Sequence, residues 1–178
     1  MHYSLRKKFL FKLIGLEIFK KHVKKGSNVI DIGANIGYFT LILAKLVGPT
    51  GKVFAFEPMK AHYDAMIRNL TLNPKLSERI TPINAAIGKD GKLKFYHSGI
   101  SEIAGVSSFV YNVHGKEATI FNDVQGYSLS AAIKKFNIHH IDILKTDCKG
   151  CEFFLKEEDL EKVEQVKIEY EAFEYTKH

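Results

Sequence analysis

The residues whose types and spacing suggest chemistry are Asp31, Gly33, Asn35 and Gly37, then Glu57, then Asp147 and Glu152. The first four sit where the apolar run Val29 to Ile32 gives way to a helical pattern, in the order strand, glycine turn, helix. Glycines at 33 and 37 carry no Cβ, so backbone N–H groups and the positive end of the new helix can approach a ligand. Twenty residues beyond Gly37, the apolar run Val53 to Phe56 ends in Glu57 and Pro58. A carboxylate there can accept hydrogen bonds from both hydroxyls of a ribose. The two strands read as half of a nucleotide-binding sheet. Taken alone, the turn also allows a plain strand-to-helix connection in some other α/β protein.

The turn is not G-x-G-x-x-G, because Asn35 stands where the middle glycine would be and Asp31 lies inside the strand end. This variant points away from a dinucleotide pyrophosphate. A cofactor with a ribose and an amino-acid tail but no phosphate suits it better, since Asp31 can meet an ammonium, and S-adenosylmethionine carries one. The second informative stretch is Leu144 to Glu152. In an open α/β sheet the first and fourth strands are neighbours and ligands sit beyond their carboxyl ends, which aims Asp147 at the same crevice as Gly33 and Gly37.

Asp31-x-Gly33-Ala34-Asn35-x-Gly37, followed by Phe56-Glu57-Pro58, resembles the FkbM-type family of S-adenosylmethionine-dependent methyltransferases. The family pattern L-K-x-D-x-E-G-x-E is met by Leu144, Lys145, Asp147, Gly150 and Glu152, while Lys149 puts a base where the family has an acid. The resemblance covers roughly residues 28 to 171. It implies an α/β fold with a Rossmann-like class I methyltransferase sheet, mostly parallel; the residue pattern adds a β-hairpin insertion, and, as a departure from that architecture, the C-terminal antiparallel strand pair is expected to be missing. It also implies S-adenosylmethionine as cofactor, held by Asp31, Gly33, Asn35, Gly37, Glu57 and Asn84, and a small-molecule acceptor. Asp147 and Glu152 are the expected catalytic pair, with Glu169 behind them. Methyl transfer gains most from positioning, and a hydroxyl nucleophile needs a carboxylate for its proton. Each acid has a plainer reading: Asp147 as a helix cap, Glu152 as a favourable charge at a helix start. Asn84 either touches an adenine ring or caps the turn after its strand.

The elements that position these residues follow from periodicity. Residues 4 to 25 place Leu5, Phe9, Leu13, Leu16, Phe19 and Val23 at helical spacing, with lysines opposite and Gly26 as a stop. Residues 1 to 27 thus form a basic amphipathic N-terminal helix and 28 to 178 the cofactor-binding domain. Packing against the sheet edge is one use for that helix; an anionic membrane or RNA surface is another. Helices are expected over 38–47, 60–72, 128–136 and from the 150s to Leu160, and strands over 29–32, 53–56, 80–86, 141–144 and 166–170. Between them, Lys92 to His97 alternates like a half-buried strand, and Phe109 to Val113 and Ala118 to Val124 add short strands around the polar loop 98 to 108. That loop is long enough to act as a lid, with Tyr96 and His97 at its edge.

Composition narrows the partners. The chain of 178 residues has 46% hydrophobic and 26% charged residues and a net charge of +6, ordinary for one soluble globular domain. The excess charge is confined to the head: residues 1 to 27 hold eight Lys or Arg against Glu17, and the rest 18 against 19 acids. A neutral body argues against nucleic acid, and no apolar run approaches a membrane span. A cytoplasmic protein is the expectation, with a homodimer through an exposed sheet edge or a fold-back of the basic helix onto the acidic tail. No metal is expected, because Asp142, Asp147 and Glu152 do not make a ligand set. Cys148-x-x-Cys151 reads as two small buried residues, with a redox dithiol as the rival. Three functions remain: small-molecule O-methyltransferase, RNA methyltransferase, and a cofactor-binding or interaction module without catalysis.

Overall fold

A computed structural model describes residues 16–97, 107–108, 112–113, 116–117, 120–148 and 150–168. Its centre is a five-stranded parallel sheet in the order β11-β10-β1-β2-β3. The strands are β1 (Asn28–Ile32), β2 (Lys52–Phe56), β3 (Ile80–Ile83), β10 (Ile141–Thr146) and β11 (Val163–Ile168). Helices α1 (residues 16–22), α2 (Tyr38–Val47), α3 (Lys60–Thr71) and the short α4 (Pro74–Ser77) precede β3, and α5 (Leu129–Lys135) precedes β10. A 3₁₀ turn (Cys151–Phe154) and the short α6 (Glu157–Leu160) connect β10 to β11. Among the described residues no helix is long and apolar enough to cross a membrane.

A strand buried on both faces must alternate two apolar sets, and β1 does so. Val29 faces a cluster with Phe19, Val23, Leu43, Val47, Val53 and Met66, contributed by α1, α2, β2 and α3. Ile30 and Ile32 face the other cluster, with Phe56, Ile83, Leu129, Ala132 and Leu144. The odd residue of β1 is Asp31, a carboxylate with no exposed surface at the centre of the sheet.

The insertion lies between β3 and α5. Strand β5 (Gly91–His97) pairs antiparallel with β9 (Ile120–Tyr127), β9 runs parallel to β4 (Ala86–Ile87), and β6 (Ser107–Ser108) joins the far side of β5. Strands β7 (Asn112–Val113) and β8 (Lys116–Glu117) form a hairpin of their own. The run expected as a single third strand is divided: β3 stops at Ile83, and β4 leaves for the second sheet. Asn84 and Ala85 make the break because Asn84 Nδ2 donates to the carbonyls of Glu57 and Pro58, turning the chain across the end of β2. The helix expected after Asp147 is likewise broken into the 3₁₀ turn and α6. Loop 98 to 106, residues 1 to 15, Lys149 and everything from Glu169 onward lie outside the described residues, as does the Tyr96 and His97 side-chain geometry.

Helix α1 packs on a face of the sheet with α2, rather than along an edge. Phe19 is 2% exposed and meets the Phe39 ring edge-on at a centroid distance of 5.6 Å. An aromatic so placed is part of the main core and not a surface appendage. Phe19→Ala is therefore expected to cost about 3–5 kcal/mol, read as a lower urea midpoint with an unchanged slope. A loss below about 1 kcal/mol would show that the helix contributes little to the core.

Candidate functional site

The residues singled out in the sequence gather where β1, β2 and β10 end. Strand β1 leaves the sheet through Gly33, whose N–H and that of Ala34 both donate to the Phe56 carbonyl at 3.0 Å. Gly33 has φ +76°, and a Cβ there would run into the carbonyl oxygen of Asp147, with the carbonyl carbon at 2.8 Å. The chain leaving β10 thus passes directly against the turn, and Asp147 N donates to Ile32 O at 3.0 Å. Gly37 has φ +85° and opens α2, and a Cβ on it would meet Met66 Cγ of α3 at 2.9 Å. The space both glycines leave is filled by protein: they let two strand ends and two helices close up. Asn35 also adopts a left-handed conformation, φ +51°, which an Asn tolerates better than most side chains.

Glu57 holds this turn in place. Its Oε2 accepts from Asn35 N at 2.8 Å and its Oε1 from Met59 N at 2.9 Å, while His62 Nδ1 lies 3.5 Å from Oε1. His62 Nδ1 is also 3.4 Å from Asn35 Nδ2, and Glu57 and His62 are both buried. A carboxylate has about four acceptor directions, so two remain for a ligand. Asn84 is exposed beside it, its amide spent on the β2 end and its carbonyl oxygen outside any contact among the described residues.

Asp31, read from the sequence as the partner of a ligand ammonium, has a different position. It is fully buried; Thr40 Oγ1 of α2 donates to Oδ2 at 2.7 Å, and Lys145 Nζ stands 2.7 Å from Oδ1 in an ionic contact without hydrogen-bond alignment. Lys145 Nζ also donates to Gly33 O at 3.2 Å and lies 5.7 Å from the centre of the Phe39 ring. The cation Asp31 neutralises is therefore Lys145, its register partner on β10. Sequence reasoning noted Lys145 only as part of a pattern. A lysine directly after the apolar pair Ile143-Leu144 of a buried strand was the available signal, since such a group is buried only when paired.

Asp147 is half-buried, and its carboxylate has no hydrogen bond or ion pair among the described residues. It does not cap a helix, since the next α-helix begins only at Glu157. Glu152 is in the 3₁₀ turn by its backbone, with its side chain outside the described atoms. Cys148 and Cys151, expected as separate buried residues, are joined as a disulfide with Cα atoms 5.6 Å apart, inside the range such a bond requires. The bridge closes the loop immediately after Asp147.

The model of the family described as the methyltransferase FkbM domain matches residues 31–178. The chain belongs to the FkbM methyltransferase family. Among its relatives, methyltransferase sdnD of Sordaria araneosa is 38% identical over 85 residues, covering 43% of this chain and 31% of that protein. Protein-L-isoaspartate O-methyltransferase 1 of Arabidopsis thaliana is 28% identical over 83 residues, covering 45% and 36%. This FkbM chain thus spans about a third of the length of the curated relatives it matches. Among solved structures, a SAM-dependent O-methyltransferase from Thermotoga maritima aligns at 34% identity over 47% of this chain and 30% of that one, TM-score 0.37. Aeropyrum pernix fibrillarin, solved with bound S-adenosyl-L-methionine, aligns at 14% identity over 82% and 50%, TM-score 0.42.

The two acids of this FkbM domain should separate cleanly by stability. Asp31→Ala leaves the Lys145 ammonium buried without its partner and is expected to cost about 3–5 kcal/mol, with much of the loss recovered when Lys145 is also changed to Met. Asp147→Asn should stay within about 1 kcal/mol of the wild type. Chemical denaturation of the three variants checks this; equal losses for the two acids would contradict the placement.

Proposed function

We propose that this FkbM-domain protein is an S-adenosylmethionine-dependent methyltransferase acting on a hydroxyl of a small molecule or sugar. The observation that carries the reading is one crevice holding two carboxylates in different states. Glu57 is fixed by backbone N–H groups with acceptor capacity to spare, and Asp147 is unpartnered among the described residues. The first suits a ribose diol, which presents two donors to one carboxylate. The second suits a proton in flight, because a base tied up in an ion pair could not receive one.

In this reading Glu57 would orient the nucleoside end of the cofactor. The backbone contact of Asp147 with Gly33 sets how far its carboxylate stands from that turn. S-adenosylmethionine supplies an electrophilic methyl on a sulfonium. Asp147 would orient the acceptor hydroxyl and receive its proton, its carboxylate having no other partner among the described residues. Asp31 is engaged by Lys145 and would not hold the cofactor's ammonium, while the N–H groups in the first turn of α2 would be donors for its carboxylate.

Calorimetric titration with S-adenosylmethionine and its demethylated product, together with turnover of hydroxyl acceptors, tests the assignment. The wild type is expected to bind both in the micromolar range, and Glu57→Gln to weaken binding roughly 10- to 100-fold. Asp147→Asn is expected to lower kcat by about 10²–10⁴ with cofactor affinity within twofold. If Asp147→Asn instead abolishes cofactor binding, that carboxylate holds the ammonium and is not the base. No binding by the wild type sinks the proposal.

A further inference from the structure

The opposite end of the sheet carries a second constellation, which the methyl-transfer reading does not use. Strands β10 and β11 pair with Ile141 beside Val163 and Ile143 beside Gln165. Asp142 and Glu164 are therefore abreast on neighbouring strands and project from the same face. His140, immediately before β10, turns its Nε2 toward both: 3.3 Å from Asp142 Oδ1 and 3.6 Å from Glu164 Oε1. The three donor atoms lie within 4.8 Å of one another. The other oxygen of Asp142 accepts the N–H of Asn28 at 2.7 Å, which fixes the carboxylate plane and turns Oδ1 to the histidine.

Two carboxylates side by side on adjacent strands repel, and a cation between them would turn that repulsion into attraction. A protonated His140 serves poorly, because one ring N–H cannot point along two lines at once, and both distances exceed a good charge-assisted hydrogen bond. The two distances from His140 Nε2 are those a shared cation produces. Bonds of about 2.0–2.2 Å to a tetrahedral zinc ion set its ligand atoms roughly 3.3–3.6 Å apart. Imidazole with two carboxylates is a donor set for zinc, cobalt or nickel rather than for magnesium or calcium, which prefer oxygen alone. The Asn28 N–H then acts as the group that orients a ligating carboxylate from behind.

We propose that His140, Asp142 and Glu164 form a site for a divalent transition-metal ion, with water completing its shell. The ion clips β11, which has no outer neighbour among the described residues, to β10. All three side chains reach solvent, so the ion can enter without opening the core. The site is at the amino ends of the strands, away from the crevice formed by their carboxyl ends.

The test is zinc chloride titrated into chelator-stripped protein, with Cys148→Ser/Cys151→Ser as the background so that thiolates cannot contribute. One zinc ion per chain is expected at this site, with magnesium failing to compete. Affinity should fall roughly tenfold or more in His140→Ala and in Glu164→Gln. Saturating zinc should raise the melting temperature by roughly 5 °C in the background protein and not in those variants. S-adenosylmethionine binding should be unaffected by either substitution. Absence of saturable zinc binding overturns the proposal, and so does zinc binding that persists unchanged in both variants, which would place the ion on other histidines.

Discussion

The buried pair of Asp31 and Lys145 is the constraint on which the centre of this molecule depends. An isolated charge in the middle of a parallel sheet would be costly by several kcal/mol. The two groups are tolerable only together, and only in the register that sets Asp31 beside Lys145. That register also brings Thr40 of α2 to the second oxygen and the Gly33 carbonyl to the ammonium. One ionic contact thus fixes the spacing of β1 and β10, the seat of α2 and the height of the turn. A slip by one residue toward Leu144 would set each charge against an apolar residue of the neighbouring strand and bury it unpaired.

The crevice inherits its shape from that lock. With β1 and β10 held, the Asp147 backbone closes on Gly33 so tightly that no side chain fits between them. Glu57 then gathers the Asn35 and Met59 N–H groups and the His62 ring around the end of β2. Turn, strand end and helix start are one hydrogen-bonded unit, so a ligand arriving there meets donors and acceptors already oriented, which lowers the cost of ordering them on binding. The disulfide between Cys148 and Cys151 restrains the segment that follows Asp147 on the same side.

Charge is managed differently at the two ends of the sheet. At the carboxyl ends a buried cation answers a buried anion, leaving Asp147 outside the pair. At the amino ends a half-buried and an exposed carboxylate converge with a histidine, with no lysine or arginine among their contacts with described residues. The first arrangement serves folding, and the second has the form of a place for an ion from solution.

The sequence by itself determined the local elements. Glycines at 33 and 37, the apolar run into Glu57, the bounds of α2 and the Ser128 cap of α5, whose hydroxyl accepts from Ala131 N, all follow from nearest-neighbour stereochemistry. It also put Glu57 and Asp147 just past the ends of their strands, where the apolar runs stop. Tertiary structure decided what each polar group faces. Asp31 looked like a ligand contact until a lysine 114 residues later proved to be its partner, and Asp142 meets His140 and Glu164 only because the sheet sets β11 beside β10. Asn84 and the broken third strand depended on the carbonyls at the end of β2. The physical reason is common to all three: backbone preference acts over a few residues, whereas the cost of a buried charge is settled by whichever distant chain the sheet brings alongside it.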